Sequence, residues 1–277
     1  QQDNYLIEKP QYVVSYNNNT KNPNWVSWQL NPSWLGTLSR TGTWNPDRTL
    51  PTGFNPLVVG QDYRLRLMDT GHLTASQHRN RNLKDMLSTY ITTNALPQAT
   101  GNNTLGTAWE SLETFSQRLV VEEGKELYVT AGGYGTSSHE LIPDTISSKN
   151  INVPSFTWKN ILVLDLPNLE LDDIDTINVL TPDTRLFDEE ITPETINGTT
   201  VISVMTANIP EPGTIEGSGN FPFPHPLNQI LPEDRHRPDF ENSNQWRNWR
   251  NWTVLSEDIE SLTNVNLLTN IDNLEIS

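Results

Sequence analysis

The chain of 277 residues carries 34 acidic against 18 basic residues, and a formal charge of −16 argues against a protein whose overall field attracts nucleic acid. Hydrophobic residues make up 34% of the chain and include nine tryptophans, which excludes wholesale disorder and allows a sizeable core. Cysteine is absent, so a disulfide framework and a thiolate metal site are excluded. No apolar run approaches the roughly 20 residues that cross a bilayer, so we expect no membrane segment.

The first residue is Gln1 rather than methionine, and the composition is rich in Asn and Thr but poor in Lys. These features are typical of a mature secreted protein whose signal peptide has been removed. We therefore expect an extracellular location. Nineteen prolines and fifteen glycines further predict a loop-rich fold with short elements.

Predicted elements in the first part of the chain lead to a group of polar side chains. Residues 12–16 and 25–30 have strand composition and flank three asparagines, which predicts a β-hairpin. Residues 63–67 alternate apolar and charged side chains and predict a strand that delivers the segment 69–72, Asp-Thr-Gly-His. Residues 81–93 predict a helix that leads to Asn94.

The second part of the chain gives clearer signals. Residues 107–123 repeat apolar side chains at spacings of three and four, which predicts an amphipathic helix that Gly124 ends. Strands are predicted at residues 126–131, 158–164 and 201–207, and a last helix begins with Ser256 as its N-cap. Because strands and helices do not alternate regularly, we expect one α+β domain over residues 1–277, with a central antiparallel sheet, flanking helices and long loops.

Two acidic or Pro-rich stretches, residues 167–200 and 210–245, are predicted to be surface loop insertions. In the first, Glu170, Asp172, Asp173 and Asp175 could hold Ca²⁺, although an acidic loop in an acidic protein is more often only solvated. Residues 247–252 read Arg-Asn-Trp twice. Their tryptophans could stack on bases, but tryptophan in a loop-rich fold is more often part of the core.

Side chains of catalytic type lie between residues 69 and 113. A histidine with a pKa near 6.5 is suited to deprotonating a water, which fits His72. Mg²⁺ keeps most of its waters, so a single asparagine carbonyl suffices as a direct protein contact. Taken singly, His72 could be a turn residue, Asn103 a helix cap and Glu113 a solvated helix acid.

In their order and spacing, these residues resemble the non-specific DNA/RNA endonucleases, the ββα-metal (His-Me finger) nucleases of the cyanobacterial and Serratia type. Short matching segments spread over most of the chain carry the resemblance: residues 24–31, 34–36, 40, 46–51, 69–72, 93–94, 97–98, 102–103, 109–113, 124–128 and 260–263. It implies a ββα-metal site in an enzyme that hydrolyses DNA and RNA with Mg²⁺, which Mn²⁺ can replace, and leaves 5′-phosphate ends.

The resemblance also implies a role for each site residue. His72 corresponds to the general base and Asn103, rather than Asn102, to the metal ligand. Glu113 corresponds to the glutamate that holds metal-bound water, Arg40 to the arginine that steadies the phosphate, and Asn94 to a supporting residue. Asp69 is interpreted as a structural acid that orients its own turn.

The chain departs from the family pattern where positive charge is expected. The motif Asp-Arg-Gly-His has Thr70 in place of its arginine, and a second family arginine falls on Gln117, with Arg118 beside it. Asn103 and Glu113 are two residues further apart than usual, which keeps Glu110 as a rival. Arg79 and Arg118 are candidate substrate-binding residues, and the residues that could compensate for the lost charge are Arg64, Arg66, Arg79, Arg81 and His78.

Two other function classes remain open at this stage. A nuclease-like nucleic-acid-binding module with weakened or lost catalysis would fit the missing arginines and the charge. An acidic secreted structural or adhesion protein would fit the composition but not the ordered motifs. Strand preference, oligomeric state and any protein inhibitor cannot be read from the sequence.

Overall fold

The computed structural model describes residues 2–165, 193–196, 198–213 and 219–267. The acidic residues at 170–175, for which Ca²⁺ binding was the alternative to a solvated loop, and most of the 167–200 stretch lie outside these residues. The strands are β1 (Tyr5–Lys9), β2 (Tyr12–Asn17), β3 (Asn22–Leu30), β4 (Met68–His72), β5 (Ala95–Ala99), β6 (Lys125–Tyr134), β7 (Thr145–Ile146), β8 (Ile151–Asn152), β9 (Phe156–Asp165), β10 (Glu194–Ile196), β11 (Thr199–Ala207) and β12 (Thr253–Val254). The helices are α1 (Leu83–Ser88), α2 (Thr100–Asn103), α3 (Ala108–Val121), α4 (Ser243–Arg247) and α5 (Ser256–Thr263).

A large antiparallel sheet forms the scaffold and runs in the order β1-β2-β3-β6-β9-β11-β10, with β12 paired to β11. Its central strands alternate fully buried apolar residues such as Val26, Leu127, Val129 and Ile161 with residues of the other face. The expected hairpin is present as β2 and β3, which pair through Val14 and Val26. These observations confirm the predicted α+β class with a central antiparallel sheet.

The amphipathic helix α3 packs on the sheet at β6, as its apolar period predicts. Leu112 and Val120 are fully buried and Trp109 is 1% exposed, and each such side chain contributes about 1.5–3 kcal/mol through burial. Gly124, at φ 62°, ends this segment in the left-handed region that glycine tolerates. The helix therefore presents a fixed polar edge above the sheet.

A separate two-stranded hairpin, β4 with β5, carries the Asp-Thr-Gly-His motif. The strand predicted at residues 63–67 is wrong: residues Gly60–Tyr63 form a 3₁₀ turn, and the strand begins at Met68. Leu67 has a φ of 71°, which interrupts an extended chain, and Leu65 is 41% exposed rather than buried on an inner face. The motif is thus part of the strand and does not merely follow it.

The helix predicted over residues 81–93 is shorter than expected. Asn82 caps α1 by accepting a hydrogen bond from the backbone N–H of Asp85, and the helix ends at Ser88. The predicted N-cap of α5 is also wrong, since Leu255 occupies the cap position. Ser256 instead turns its hydroxyl inward, where it contacts Asn160 and Ser203.

The stretch 210–245 is not a long surface loop where it is described. Leu227, Leu231 and Phe240 are buried in the main core together with the tryptophans Trp246, Trp249 and Trp252. The apolar surface of this segment covers the far strands of the sheet, so the base-stacking alternative for residues 247–252 is wrong.

His225 anchors this C-terminal segment, and its burial makes the stability of the fold sensitive to acid. Its Nδ1 accepts the Leu227 N–H at 3.3 Å, its Nε2–H donates to the Asn251 carbonyl at 3.0 Å, and its ring stacks on Phe240. Burial lowers the pKa of His225 to about 4. The unfolded histidine takes up a proton near pH 6.5, so the unfolded state binds more protons between about pH 6.5 and 4, and stability falls as the pH decreases through this window.

We expect the urea midpoint of the protein to fall between pH 7 and 5, and His225→Gln to make this fall shallower. A titrating group of this kind contributes at most about 1.4 kcal/mol per pH unit. The matched control is His236→Gln, which removes an exposed histidine and leaves the buried contacts of His225 in place. Equal slopes for native protein and His225→Gln would contradict the assignment.

Candidate active site

Five sequence-predicted residues meet in one cleft. Arg40, His72, Asn103, Glu110 and Glu113 all line a cavity of ≈ 450 Å³. They come from the loop after β3, the end of β4, the end of α2 and the first turns of α3. The antiparallel β4-β5 pair followed by helix forms the ββα arrangement expected for this site.

His72 is held by aromatic side chains on two sides. Its ring lies 4.3 Å from the ring of Trp44 and 4.6 Å, edge-on, from that of Tyr90. Its Nε2 is buried and has no hydrogen-bond partner among the described residues. Burial, and then the positive charge of Arg40, lower the pKa of His72 to about 3. The imidazole is therefore neutral at neutral pH and can accept a proton.

Arg40 lines the cleft with His72 and Glu113 and acts electrostatically on both. Its side chain is exposed, and its Nε donates to the Tyr90 hydroxyl at 3.3 Å, so the ring beside His72 also orients the guanidinium. The charge of Arg40 lowers the pKa of His72 and acts on Glu113 in the same direction. Arg40 is placed to meet an anion that lies between these two groups.

Gly71 and Asn94 fix the backbone around His72. A Cβ on Gly71 would lie 1.7 Å from Oε1 of the fully buried Gln98, so only glycine fits at this motif position. Asn94, also fully buried, accepts from the Thr74 N–H and donates to the carbonyls of Thr74 and Thr89. Asn94 thus ties the residues after His72 to the strand that follows, as a supporting residue would.

The two asparagines of α2 have different surroundings. Asn102 is 3% exposed, and its Nδ2 donates to the Thr157 hydroxyl at 2.7 Å. Asn103 lines the cleft, and its side chain makes no hydrogen bond within the described part of the chain. The geometry leaves the Asn103 carbonyl free to bind a cation and gives Asn102 a structural role.

The segment after residue 205 supports α2. A Cβ on Gly101 would lie 2.2 Å from the backbone nitrogen of Glu211. Asn208 accepts from the Ala99 N–H at 2.7 Å and donates to the carbonyls of Pro97 and Pro154. The position of Asn103 therefore depends on chain that is distant in sequence.

The contacts of Glu110 and Glu113 decide which of them is the better candidate for the glutamate that holds metal-bound water. Glu110 uses both oxygens in local structure, since Oε2 accepts the Gly106 N–H and Oε1 accepts the Thr114 hydroxyl, each at 3.0 Å. Glu113 accepts Lys159 on Oε1 at 3.0 Å, and its Oε2 has no hydrogen bond to the described residues. Glu113 is therefore the carboxylate that can hold a metal-bound water.

Lys159 and His78 contact the site; the sequence predicted no role for Lys159 and named His78 only as a residue that could compensate for the lost charge. Lys159 is 1% exposed on β9, and its ammonium lies 3.8 Å from the centre of the Trp109 ring. His78 lies beneath α3: its Nδ1 accepts from the Trp28 indole and its Nε2–H donates to the Glu113 carbonyl at 3.1 Å. A signal for Lys159 existed, because a lysine inside an apolar strand pattern is rarely buried without a partner.

Burial shifts the Lys159–Glu113 pair in opposite directions. Burial lowers the pKa of Lys159 and raises the pKa of Glu113, while the partner charge opposes each shift. The 3.0 Å hydrogen bond and the aromatic face under the ammonium favour the charged pair.

Two predicted supporting residues lie outside the lining of the cleft. Asp69 is the second residue of β4 and pairs with Gln98, so it lies in a strand and the expectation that it orients its own turn is wrong. Thr70 and His72 are two residues apart on a strand, so both project to the same face of the hairpin. An arginine at position 70 would point toward the site, and the hydroxyl of Thr70 ends short of it.

The predicted substrate-binding arginines are used elsewhere. Arg79 is completely buried and donates to the carbonyls of Gln11 and Gln29, so it cannot meet substrate and the expectation is corrected. Arg118 pairs with Glu122 at 3.0 Å, while Gln117 lines the cleft at the adjacent position. Arg64, Arg66 and Arg81 do not line the cleft, so of the residues named as compensating, His78 alone reaches it.

The donor set fits a hard divalent cation that keeps its own waters. Among the described residues, no group of three or more His, Cys, Asp or Glu side chains could hold a metal. The unpaired Asn103 carbonyl and the open oxygen of Glu113 offer one direct and one water-mediated contact, which suits Mg²⁺ better than Zn²⁺ or Ca²⁺.

No helix of the described chain has the length and apolarity needed to span a membrane.

Comparisons with known proteins agree with this architecture. The family described as DNA/RNA non-specific endonuclease matches residues 1–205. A protein named "Nuclease" from a Nostoc species is 40% identical over 172 residues, which is 62% of this chain and 59% of that relative. A chain of the EndoG/EndoGI complex, solved to explain EndoG inhibition, superposes with a TM-score of 0.61 over 95% of this chain and 85% of its own length. Because the two sequences are only 17% identical, this superposition shows a shared fold and nothing further.

Proposed function

Because this chain belongs to the DNA/RNA non-specific endonuclease family, we propose that it is an active, Mg²⁺-dependent endonuclease that cleaves both DNA and RNA. The observation that carries the proposal is the meeting of His72, Asn103, Glu113 and Arg40 in one cleft. Mn²⁺ would replace Mg²⁺, since both ions accept amide and carboxylate oxygens.

The residues of the cleft divide the hydrolysis among them. His72 accepts a proton from the attacking water, and the negative phosphate beside it raises its pKa toward the range that a base needs. Arg40 donates to the phosphate oxygens and offsets the charge that grows in the transition state. Asn103 would hold the metal directly and Glu113 through water. When bound, the metal supplies positive charge to the leaving 3′ oxygen, so the products carry 5′-phosphate ends.

Cleavage of supercoiled plasmid and of structured RNA, with and without Mg²⁺, tests the proposal. We expect both substrates to be cut with Mg²⁺ or Mn²⁺ and neither to be cut in excess EDTA. Nicked products should be sealed by a ligase without prior phosphorylation. A native chain that cuts neither substrate over a range of metal and salt concentrations would refute the enzyme assignment.

We further propose that the protein acts outside the cell. The Asn- and Thr-rich, Lys-poor composition supports this location. Fractionation of the producing cells should place the protein in the medium, and its retention in the cytoplasm would contradict the proposal.

A catalytically weakened nucleic-acid-binding module is the second candidate, and the charge of the cleft favours it. Among the described residues, the lining of the cleft holds one arginine, Arg40, against the two carboxylates of Glu110 and Glu113. A binding module would retain the substrate without cutting it. The plasmid assay separates the two, because retarded but intact DNA would support the module.

Restoring the motif charge should increase activity. Thr70→Arg places a guanidinium on the His72 face of the hairpin, where a charge-assisted hydrogen bond to phosphate is worth about 1.5–3 kcal/mol, or roughly 10–100-fold in kcat/KM. The control is Thr70→Gln, which adds a long side chain without charge. An unchanged or lower rate for Thr70→Arg would show that the missing arginine at position 70 does not limit the activity of this chain.

A further inference from the structure

A single strand of the central sheet supports both halves of the candidate metal site. Thr157 and Lys159 are two residues apart on β9, so their side chains project to the same face. The Thr157 hydroxyl accepts a hydrogen bond from Asn102, next to Asn103, and the Lys159 ammonium donates to Oε1 of Glu113. The separation between the metal-binding asparagine and the water-holding glutamate is thus set through this face of β9.

Burial of Lys159 at this position has a free-energy cost. It is 1% exposed in the middle of a strand, and a buried ammonium loses hydration that a single ion pair rarely restores. Apolar side chains of similar volume in place of the whole Lys159–Glu113 pair would suit the core at least as well. Retention of the charge therefore indicates a role other than stability.

The contacts of Lys159 restrict Glu113 in a specific way. The ammonium lies between the face of Trp109 and Oε1 of Glu113, on consecutive turns of α3. It occupies one carboxylate oxygen and leaves Oε2 for the cleft, and its positive charge favours the ionised carboxylate. Glu113 is thereby presented with one fixed and one available oxygen.

From this arrangement we propose that Lys159 is a positioning residue that orients Glu113 toward the divalent cation and its waters. The inference deepens the proposed function and rests on it for the identity of the site. Removal of Lys159 is expected to weaken metal binding about 10–100-fold, as loss of an outer-shell contact does in other metal sites.

The test measures metal binding apart from cleavage. Mn²⁺ is titrated into the full chain without substrate and followed by electron paramagnetic resonance, for native protein and Lys159→Met. We expect a roughly 10–100-fold weaker Mn²⁺ affinity for Lys159→Met and a proportionate loss of cleavage at low metal, with a lower melting temperature because Glu113 loses its ion-pair partner. Should Lys159→Met fail to fold, Lys159→Leu removes the same donor and carries the same expectation.

A double-mutant cycle shows whether Lys159 acts through Glu113. In a Glu113→Gln background, Lys159→Met should cause little further loss of Mn²⁺ affinity, because the group that it positions is already gone. Additive losses would overturn the proposal. An unchanged Mn²⁺ affinity in Lys159→Met would also overturn it. A higher affinity in Lys159→Met would overturn it as well, because it would mean that the ammonium only repels Mn²⁺.

The two proposals fail separately. If the native chain binds Mn²⁺ and the cycle shows coupling but no substrate is cut, the positioning role holds and the enzyme assignment fails. If plasmid and RNA are cut and Lys159→Met changes neither the affinity nor the metal dependence, the enzyme assignment holds and Lys159 is only structural.

Discussion

Replacing His72 with alanine is expected to lower plasmid cleavage by about 10²–10⁴-fold, the usual contribution of a general base. The imidazole lies in the cleft, is neutral at neutral pH and has no described partner for its Nε2. No other histidine of the cleft can take its place, because both ring nitrogens of His78 are used by Trp28 and Glu113. The rate at saturating DNA and Mg²⁺ is the appropriate measurement.

The interpretation of this variant depends on the fold staying intact. His72 packs between Trp44 and Tyr90, so alanine leaves a cavity, whereas His72→Asn keeps part of the volume but cannot act as a base. Both variants should lose cleavage, and the smaller change in melting temperature should belong to His72→Asn. The exposed His236→Ala is the matched control and should cut normally. Equal cutting by native protein and His72→Ala would show that another group is the base.

Local patterns in the sequence predicted those parts of the fold that depend on local physics. Helix α3 was predicted nearly to the residue, because an amphipathic period and a terminal glycine are properties of neighbouring residues. The β2-β3 hairpin was also predicted from neighbouring residues, namely two segments of strand composition that flank three asparagines. The pattern at residues 63–67 failed because Leu67 adopts a left-handed conformation that alternation of side chains does not reveal.

Contacts between distant segments could not be predicted in this way. Residues 210–245 look like loop because their Pro, Gly and Asn content reflects turns, whereas the burial of Leu227 and Phe240 depends on strands far away in sequence. The environment of Arg79 is similar, since the carbonyls of Gln11 and Gln29 that bury it are 68 and 50 residues away. A charged residue near a motif was therefore mistaken for a substrate contact.

The site shows the same division. Its residue types and their order could be predicted from the motifs that carry the resemblance to the endonuclease family, and the chemistry of hydrolysis is compatible with them. The choice between Glu110 and Glu113 needed the structure, since it depends on which oxygens are already occupied. The pairing of Glu113 with Lys159 joins residues that are 46 positions apart, and no local pattern predicts it.

The second large effect is expected at Asn103. Asn103→Ala should weaken Mn²⁺ binding by at least about tenfold and reduce cleavage correspondingly, because it removes an unpaired amide side chain from the lining of the cleft. Asn103→Asp keeps an oxygen ligand of the same length and should retain Mn²⁺ binding. The melting temperature should change little in either variant, since the Asn103 side chain makes no hydrogen bond to the described residues. Mn²⁺ titration without substrate measures the affinity directly.

The neighbouring Asn102 provides the matched control. It has the same chemistry one residue away, but its side chain is buried against Thr157. Asn102→Ala should therefore cost about 1–3 kcal/mol of unfolding free energy while the folded fraction still binds Mn²⁺. If Asn102→Ala abolishes Mn²⁺ binding and Asn103→Ala does not, the two roles are exchanged. Two adjacent asparagines with opposite losses, one of stability and one of metal, would establish which of them belongs to the site.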